Sequence, residues 1–301
     1  MAINENIKGA LLMATAMAGF TSSDAMVKLV SEDMNVGQIM FIRGLGSSIL
    51  ILLIAWRLGA LRGLAALRNP YFALRTLAEV VASITYLTAL SLIPLPNASA
   101  ILQALPLAVT MGAALFLAEP VGWRRWGAIL VGFCGVLIII RPGAEGFTGA
   151  SLLVVGSVIG AATRDLVTKK IDRAIPSLFI SAVTSIVITT VGAILIVPYG
   201  GWKPVSFGNL AALTFGAATL VMGYQTIIMA MRTGEISFIA PFRYLSLVFS
   251  ILLGIFVLAE MPDFWMLVGA SIVIAAGLYA FYREHKLHRK LAMIDSNPTP
   301  N

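Results

Sequence analysis

Four charged residues lie inside long apolar stretches of this sequence, where a charge is costly and for that reason often functional: Asp24, Arg43, Glu79 and Arg243. Once membrane spans are assigned, Glu79 and Arg243 each lie about two helical turns from the same side of the membrane. A carboxylate and a guanidinium at one depth attract each other strongly where water is scarce. We therefore predict a Glu79–Arg243 pair in a substrate-binding or ion-coupling site. A buried bridge that only holds the two halves together is the alternative.

The other two charges are interpreted as structural. Asp24 and Arg43 fall at similar depth in the outer halves of two successive apolar stretches, so a salt bridge between them would join those stretches. A role in substrate binding stays open for this pair. Arg75, four residues before Glu79, lies close enough to a helix end for its long side chain to reach the cytoplasmic headgroups.

Polar and aromatic residues accompany these charges in the neighbouring apolar stretches. Pro106 is expected to kink its helix and free a backbone carbonyl nearby. A cavity with apolar walls and a few convergent polar groups suits a planar or amphipathic organic solute. Taken singly, each such residue has a hydrogen bond between helices as its alternative role. The candidates for substrate binding or coupling are Glu79, Tyr86, Gln103, Tyr224, Gln225, Arg243 and Tyr244.

The elements that must position these residues are membrane-spanning helices. The chain is 59% hydrophobic and only 12% charged, about half the charged fraction of a soluble protein. An apolar stretch of about 20 residues crosses a membrane as a helix. Such stretches predict an all-α integral membrane protein with ten spans, at residues 7–29, 37–56, 71–92, 95–117, 123–141, 148–168, 177–198, 208–230, 236–258 and 264–282.

The distribution of Lys and Arg supports this number of spans. With ten spans, sixteen of the 21 basic residues fall on the side of the N-terminus and three on the other side, and Arg43 and Arg243 lie within spans. Basic residues accumulate on the cytoplasmic side of membrane proteins. We therefore predict that both termini are cytoplasmic. The net charge of +7 is explained in the same way, and we expect no nucleic-acid partner.

A repeat divides the chain into two halves of five spans each. Because five is odd, the second half enters the membrane from the opposite side, which is typical of transporters with a site near the midplane and alternating access. We predict repeats at residues 5–141 and 146–283, followed by a cytoplasmic tail at 284–301. A shift of 141 residues superposes identical residues of the two halves: Asp24 on Asp165, Lys28 on Lys169, and Glu119 on Glu260.

Several activities are excluded by missing motifs. The sequence has no Gly-rich loop for ATP and none of the motifs of metalloproteases or serine hydrolases. One cysteine, Cys134, and two histidines in the basic tail form no metal-ligand pattern. We expect no enzyme activity, no catalytic residue, no cofactor and no metal. The expected partners are a small-molecule solute and membrane lipid, and homodimer formation stays open.

Three groups of residues resemble the drug/metabolite transporter superfamily in its ten-helix EamA family. They are the paired stretches Leu115–Glu119 and Leu253–Glu260, the run Tyr86–Leu90 before Pro94, and Phe41–Arg43. The resemblance implies a central cavity lined by spans 1, 3, 4, 6, 8 and 9. Arg43 lies on span 2, outside that set.

The resemblance also implies a function in the bacterial inner membrane. The sequence looks most like bacterial carriers of riboflavin and S-adenosylmethionine, and tyrosines around a cavity could stack on a flat ring. Riboflavin uptake is therefore the leading hypothesis. Transport of S-adenosylmethionine or amino acids, export of metabolites, and a membrane scaffold that transports nothing are the alternatives.

Overall fold

The computed structural model describes residues 2–61, 67–142, 149–172, 175–233 and 235–295, and every regular element in these ranges is helical. Ten spans are long and apolar enough to cross a membrane, which confirms the predicted all-α fold. In chain order, spans 1 to 10 cover the residues Ala2–Val30, Val36–Arg57, Pro70–Leu92, Leu95–Phe116, Trp123–Ile140, Ala150–Thr168, Ser177–Leu195, Phe207–Thr233, 236–257 and Phe264–Asp295.

Span 10 is longer than the sequence predicts. Its helix passes Arg283 and continues to Asp295, so the basic segment predicted as a tail begins as helix. Residues 296–301 of that tail lie outside the described residues, as do residues 143–148 around the predicted boundary between the repeats. The helix can continue because the segment contains neither Gly nor Pro before Asn297.

Spans 4 and 9 are both discontinuous. Span 4 consists of the helices Leu95–Leu102 and Leu105–Phe116, and the break at Gln103 precedes Pro106 as predicted. Span 9 consists of the short helix Ile236–Ile239, a 3-10 turn over Ala240–Tyr244 and the helix Leu245–Val257. Proline has no backbone N–H to continue the helical ladder, and Pro241 lies within this turn. Discontinuous spans are tolerated where they line a cavity.

The same turn ends both discontinuous spans. Ala118 and Ala259, in the two Leu-Ala-Glu triplets, have left-handed backbones with φ of 52° and 54°. The amide of the following glutamate bonds back to the helix, Glu119 N to Ala113 O at 3.2 Å and Glu260 N to Gly254 O at 2.8 Å. A left-handed residue after the last turn is a frequent helix end, although alanine adopts it less readily than glycine. The sequence repeat therefore reproduces backbone conformation as well as residue type.

Packing between spans has the symmetry of an inverted repeat. Span 1 packs on span 8 as span 3 packs on span 6, and spans 2 and 7 and spans 5 and 10 pack on each other. The Ser48 and Thr189 hydroxyls are 3.2 Å apart and separated by 141 residues, so this contact lies on the pseudo-two-fold axis. We call the end of the bundle where span 1 begins the N-terminal face, and the other end the opposite face.

The outside of the bundle is apolar. Phe116, Trp123 and Phe207 are 79%, 78% and 88% exposed, whereas Ala98, Ala100 and Ile101 in span 4 are fully buried. Water would not tolerate such a large exposed apolar surface, and lipid would. The chain is therefore a multi-pass membrane protein.

Glycine allows spans 5 and 10 to touch through their backbones. A Cβ atom on Gly135 would lie 2.8 Å from the Gly269 carbonyl oxygen, whereas a Cβ on Gly127 of the same span would meet nothing within 4 Å. We expect Gly135→Val to lower the free energy of unfolding by about 1–3 kcal/mol, the usual cost of overpacking. Gly127→Val is the matched control and should melt like the original protein. Equal melting temperatures for the two variants would contradict the proposed contact.

Candidate functional site

A central cavity of about 340 Å³ lies where the breaks in spans 4 and 9 face each other. Its walls come from spans 1, 3, 4, 6, 8 and 9, the set that the family resemblance implies, with single additions from spans 2 and 10. The breaks contribute Gln103 and Tyr244, which the 141-residue shift superposes. Six of the seven sequence-predicted binding candidates line this cavity: Glu79, Tyr86, Gln103, Tyr224, Arg243 and Tyr244.

Gln225 is the exception. It follows Tyr224 on span 8, and it does not line the central cavity. Successive residues of an α-helix point about 100° apart, so Gln225 faces a different direction from Tyr224. A role for Gln225 in binding or coupling stays a prediction.

Glu79 pairs with Arg164 and not with Arg243. The Glu79 Oε2 atom lies 2.8 Å from Arg164 NH1, and Arg164 Nε lies 2.7 Å from Asp165 Oδ1. Arg164 is one of the sixteen basic residues predicted on the cytoplasmic side, whereas span 6 carries it into the cavity wall. The sequence contained a sign that Arg164 and Asp165 belong to a charge network. The 141-residue shift superposes Asp165 on Asp24, which was itself predicted to pair with an arginine.

Asp24 connects three spans. One carboxylate oxygen lies 3.8 Å from Arg43 NH1 on span 2, and the other accepts a 2.9 Å hydrogen bond from the Tyr86 hydroxyl on span 3. Arg43 NH1 also donates to the Ser23 hydroxyl at 3.2 Å. The structure thus brings Asp24 and Arg43 together, at a distance where attraction is electrostatic and no hydrogen bond forms. Both residues line the central cavity.

The Arg243 guanidinium makes no hydrogen bond or ion pair with any residue that the structure describes, although the Arg243 carbonyl accepts a 3.0 Å hydrogen bond from the Ser246 hydroxyl. Its guanidinium lies at the junction of the central cavity and a second cavity of about 200 Å³. Beside it, the buried Tyr244 hydroxyl also has no hydrogen-bond partner. Gln103 is engaged, because its Nε2 donates to the Ser246 hydroxyl at 2.8 Å and so joins spans 4 and 9. The Arg243 guanidinium is therefore free to bind a solute oxygen, whereas the Tyr244 hydroxyl packs against Gly277 of span 10.

The second cavity leads to the N-terminal face. Glu119 and Lys169, which pair at 2.8 Å, line it, and their side chains are 48% and 51% exposed. At the opposite face the superposed residues Glu260 and Lys28 pair at 3.5 Å and are only 15% and 18% exposed. Glu260 Oε2 there also accepts from Leu95 N at 2.7 Å. The path from the central cavity is thus open toward the N-terminal face.

This arrangement corresponds to a known family. The sequence model of the EamA-like transporter family matches the chain twice, at residues 7–141 and 148–282. The chain belongs to the EamA-like transporter family. Its resemblance to the drug/metabolite transporters is thereby confirmed, together with the two-repeat architecture. The EamA family consists of transporters, a class of protein that is distinct from enzymes.

Relatives of this EamA protein cover almost its whole length. It is 29% identical to an S-adenosylmethionine uptake transporter of Rickettsia bellii, over 91% of this chain and 94% of the relative. It is 27% identical to a riboflavin transporter of Vibrio cholerae, over 94% and 96%. A crystal structure with 16% identity superposes with a TM-score of 0.63, covering 93% of this chain and 98% of that chain, which supports the fold alone.

Proposed function

We propose that this EamA protein is a secondary transporter that moves a small organic metabolite across the bacterial inner membrane by alternating access. The observation that carries the proposal is the central cavity, which lies between two inverted repeats at two broken spans and adjoins a second cavity that leads toward the N-terminal face. Sites of this kind, near the midplane at a repeat interface, are typical of secondary transporters. We take the repeats as residues 5–141 and 146–283.

Two Lys–Glu pairs could close the two faces in turn. Each pair joins a lysine near the end of the first span of one repeat to the triplet glutamate of the other repeat. The Lys28–Glu260 pair is well buried and has a further bond from Lys28 Nζ to Ile93 O at 3.0 Å. The Lys169–Glu119 pair is half exposed. Because the repeats are related by symmetry, each pair can adopt the environment of the other when the open face changes.

The orientation follows from the basic residues. Most Lys and Arg outside the spans lie at the N-terminal face, and cytoplasmic loops carry this excess. The N-terminal face is then cytoplasmic, with both termini on that side. With this orientation, the open N-terminal face is on the cytoplasmic side, which is an inward-open state.

Riboflavin is the cargo that the cavity chemistry favours. Asp24, Glu79 and Asp165 each lie within 4 Å of an arginine, so these three carboxylates, among the described residues at the cavity, are not free to neutralise a cationic solute. The free guanidinium of Arg243 can donate to ring carbonyl oxygens, as arginine does to paired acceptors. The tyrosine and serine hydroxyls of the walls suit the sugar-alcohol chain of the vitamin.

S-adenosylmethionine is the second candidate, because relatives named as S-adenosylmethionine uptake transporters are up to 29% identical to this chain. Its carboxylate could bind Arg243. Its sulfonium and ammonium groups would lack a free carboxylate, and an isolated charge in such a site is costly. This charge argument places it after riboflavin.

A counterflow assay tests the proposal without knowledge of direction or coupling ion. Proteoliposomes preloaded with unlabelled riboflavin should accumulate external labelled riboflavin, with saturation and above protein-free liposomes. Growth of a riboflavin auxotroph at limiting vitamin would then test uptake. If only S-adenosylmethionine shows counterflow, it replaces riboflavin as the proposed cargo. Counterflow of neither solute would contradict both assignments.

A further inference from the structure

A third cavity, which we call the side cavity, lies between spans 2, 3, 7 and 8. Its volume is about 100 Å³, whereas an organic ligand needs roughly 300 Å³ or more. Only a few water-sized groups fit, since a water occupies about 30 Å³. The polar residues that line it are Arg43, Ser47, Arg75, Glu79, Ser83, Ser181, Thr184, Ser185 and Tyr224.

Arg75 points into the bundle. The sequence had instead suggested that it reaches the cytoplasmic headgroups. Its NH1 atom donates to the Thr184 hydroxyl at 2.5 Å, and its buried Nε atom has no hydrogen-bond partner. Glu79, one turn further along the same helix, is engaged by Arg164. Arg75 therefore forms no ion pair with any described residue, although a buried cation without a counter-charge is costly.

The remaining groups around the side cavity are donors. The hydroxyls of Ser83 and Ser181 line it and make no hydrogen bond to another residue in the described part of the chain. Glu79 is the one carboxylate among the lining residues, and Arg164 holds it. A group that binds here must accept hydrogen bonds from a guanidinium and from hydroxyls.

The charges of the surrounding network lead to the same requirement. Among the residues that line the side cavity, one carboxylate, Glu79, stands against two arginines, Arg43 and Arg75. One positive charge is left uncompensated. The protein interior favours neutral clusters of charges, so a monovalent anion would complete this one.

We infer that the side cavity binds a small inorganic anion of the size of chloride, held by the Arg75 guanidinium and by the hydroxyls of Ser83 and Ser181. Arg43, Glu79 and Tyr224 line both this cavity and the central cavity. The bound anion lies next to the Glu79–Arg164 pair and therefore changes the electrostatic field that the cargo meets. The site goes beyond the proposed transport function and does not require any particular cargo.

Thermal unfolding of the purified protein in nanodiscs tests the site without any cargo. Chloride is titrated against gluconate at constant ionic strength. The original protein should melt at a temperature that rises with chloride and saturates, and Arg75→Gln should abolish the rise. Arg57→Gln, at an exposed arginine, is the matched control and should retain it. A melting temperature independent of chloride, or a chloride effect that persists in Arg75→Gln, would overturn the proposal.

Bromide provides a second measurement that does not depend on a variant that folds. Crystals grown in bromide should show an anomalous scattering peak between Arg75, Ser83 and Ser181. Water alone at that position would exclude the anion. Because both measurements omit riboflavin, failure of the anion site and failure of the proposed cargo are distinguishable.

Discussion

Glu260→Gln and Glu119→Gln are expected to slow transport to a similar degree but to differ in their effect on stability. Glu260 holds Lys28 and the Leu95 amide at the closed face, and bonds to a charged group contribute about 1.5–3 kcal/mol. Its neutralisation should shift the equilibrium at least ~10-fold toward the outward-open state, because ~1.4 kcal/mol corresponds to a factor of ten. The melting temperature of the inward-open protein should fall.

Glu119→Gln should leave the melting temperature nearly unchanged. Its pair with Lys169 is half exposed, and such pairs contribute about 0.2–1 kcal/mol. Transport should still fall, because this pair closes the N-terminal face in the alternate state. Initial rates in proteoliposomes and thermal unfolding measure the two effects, with the exposed Glu32→Gln as control. Normal transport by Glu119→Gln would refute the proposed symmetry of the two pairs.

Arg243→Gln is expected to weaken cargo binding strongly without destabilising the fold. Loss of two charge-assisted hydrogen bonds should raise the riboflavin Kd by at least ~10-fold. Removal of a cation that has no ion-pair partner among the described residues should leave the melting temperature equal or higher, as is common when a functional group is replaced. Quenching of riboflavin fluorescence measures binding.

The exposed Arg232→Gln, at the end of span 8, serves as the control for loss of one positive charge. It should bind riboflavin like the original protein. If Arg243→Gln binds equally well, Arg243 is not part of the cargo site. If it unfolds at a much lower temperature, the guanidinium has a structural role instead.

The discontinuous spans show how far the sequence alone could lead. Pro106 predicted the break in span 4, and the 141-residue shift superposed Gln103 on Tyr244 at the facing break. Such features are local, because a proline interrupts the helix that contains it and a repeat superposes positions within the chain. The sequence also located the cavity residues to spans and depths, since depth follows from counting along each helix.

The partners of the charges could not be predicted in the same way. Glu79 was assigned to Arg243 by depth, and it pairs with Arg164. Arg75 was assigned to the headgroups, and it contacts Thr184. Depth gives one coordinate of a side chain, whereas pairing also depends on the rotation of each helix and on which helices are neighbours.

The sequence by itself determined the membrane-spanning class, the ten spans, the duplication and which charged residues lie inside the membrane. These features follow from hydropathy, charge and periodicity, which can be read along the chain. Only the tertiary structure decided which arginines are neutralised and which remain without a partner. Arg164 is held by two carboxylates, whereas Arg75 and Arg243 have no ion pair among the described residues. This distinction arises from the packing of spans 3, 6, 7 and 9 around the cavities, and the proposed anion and cargo sites depend on it.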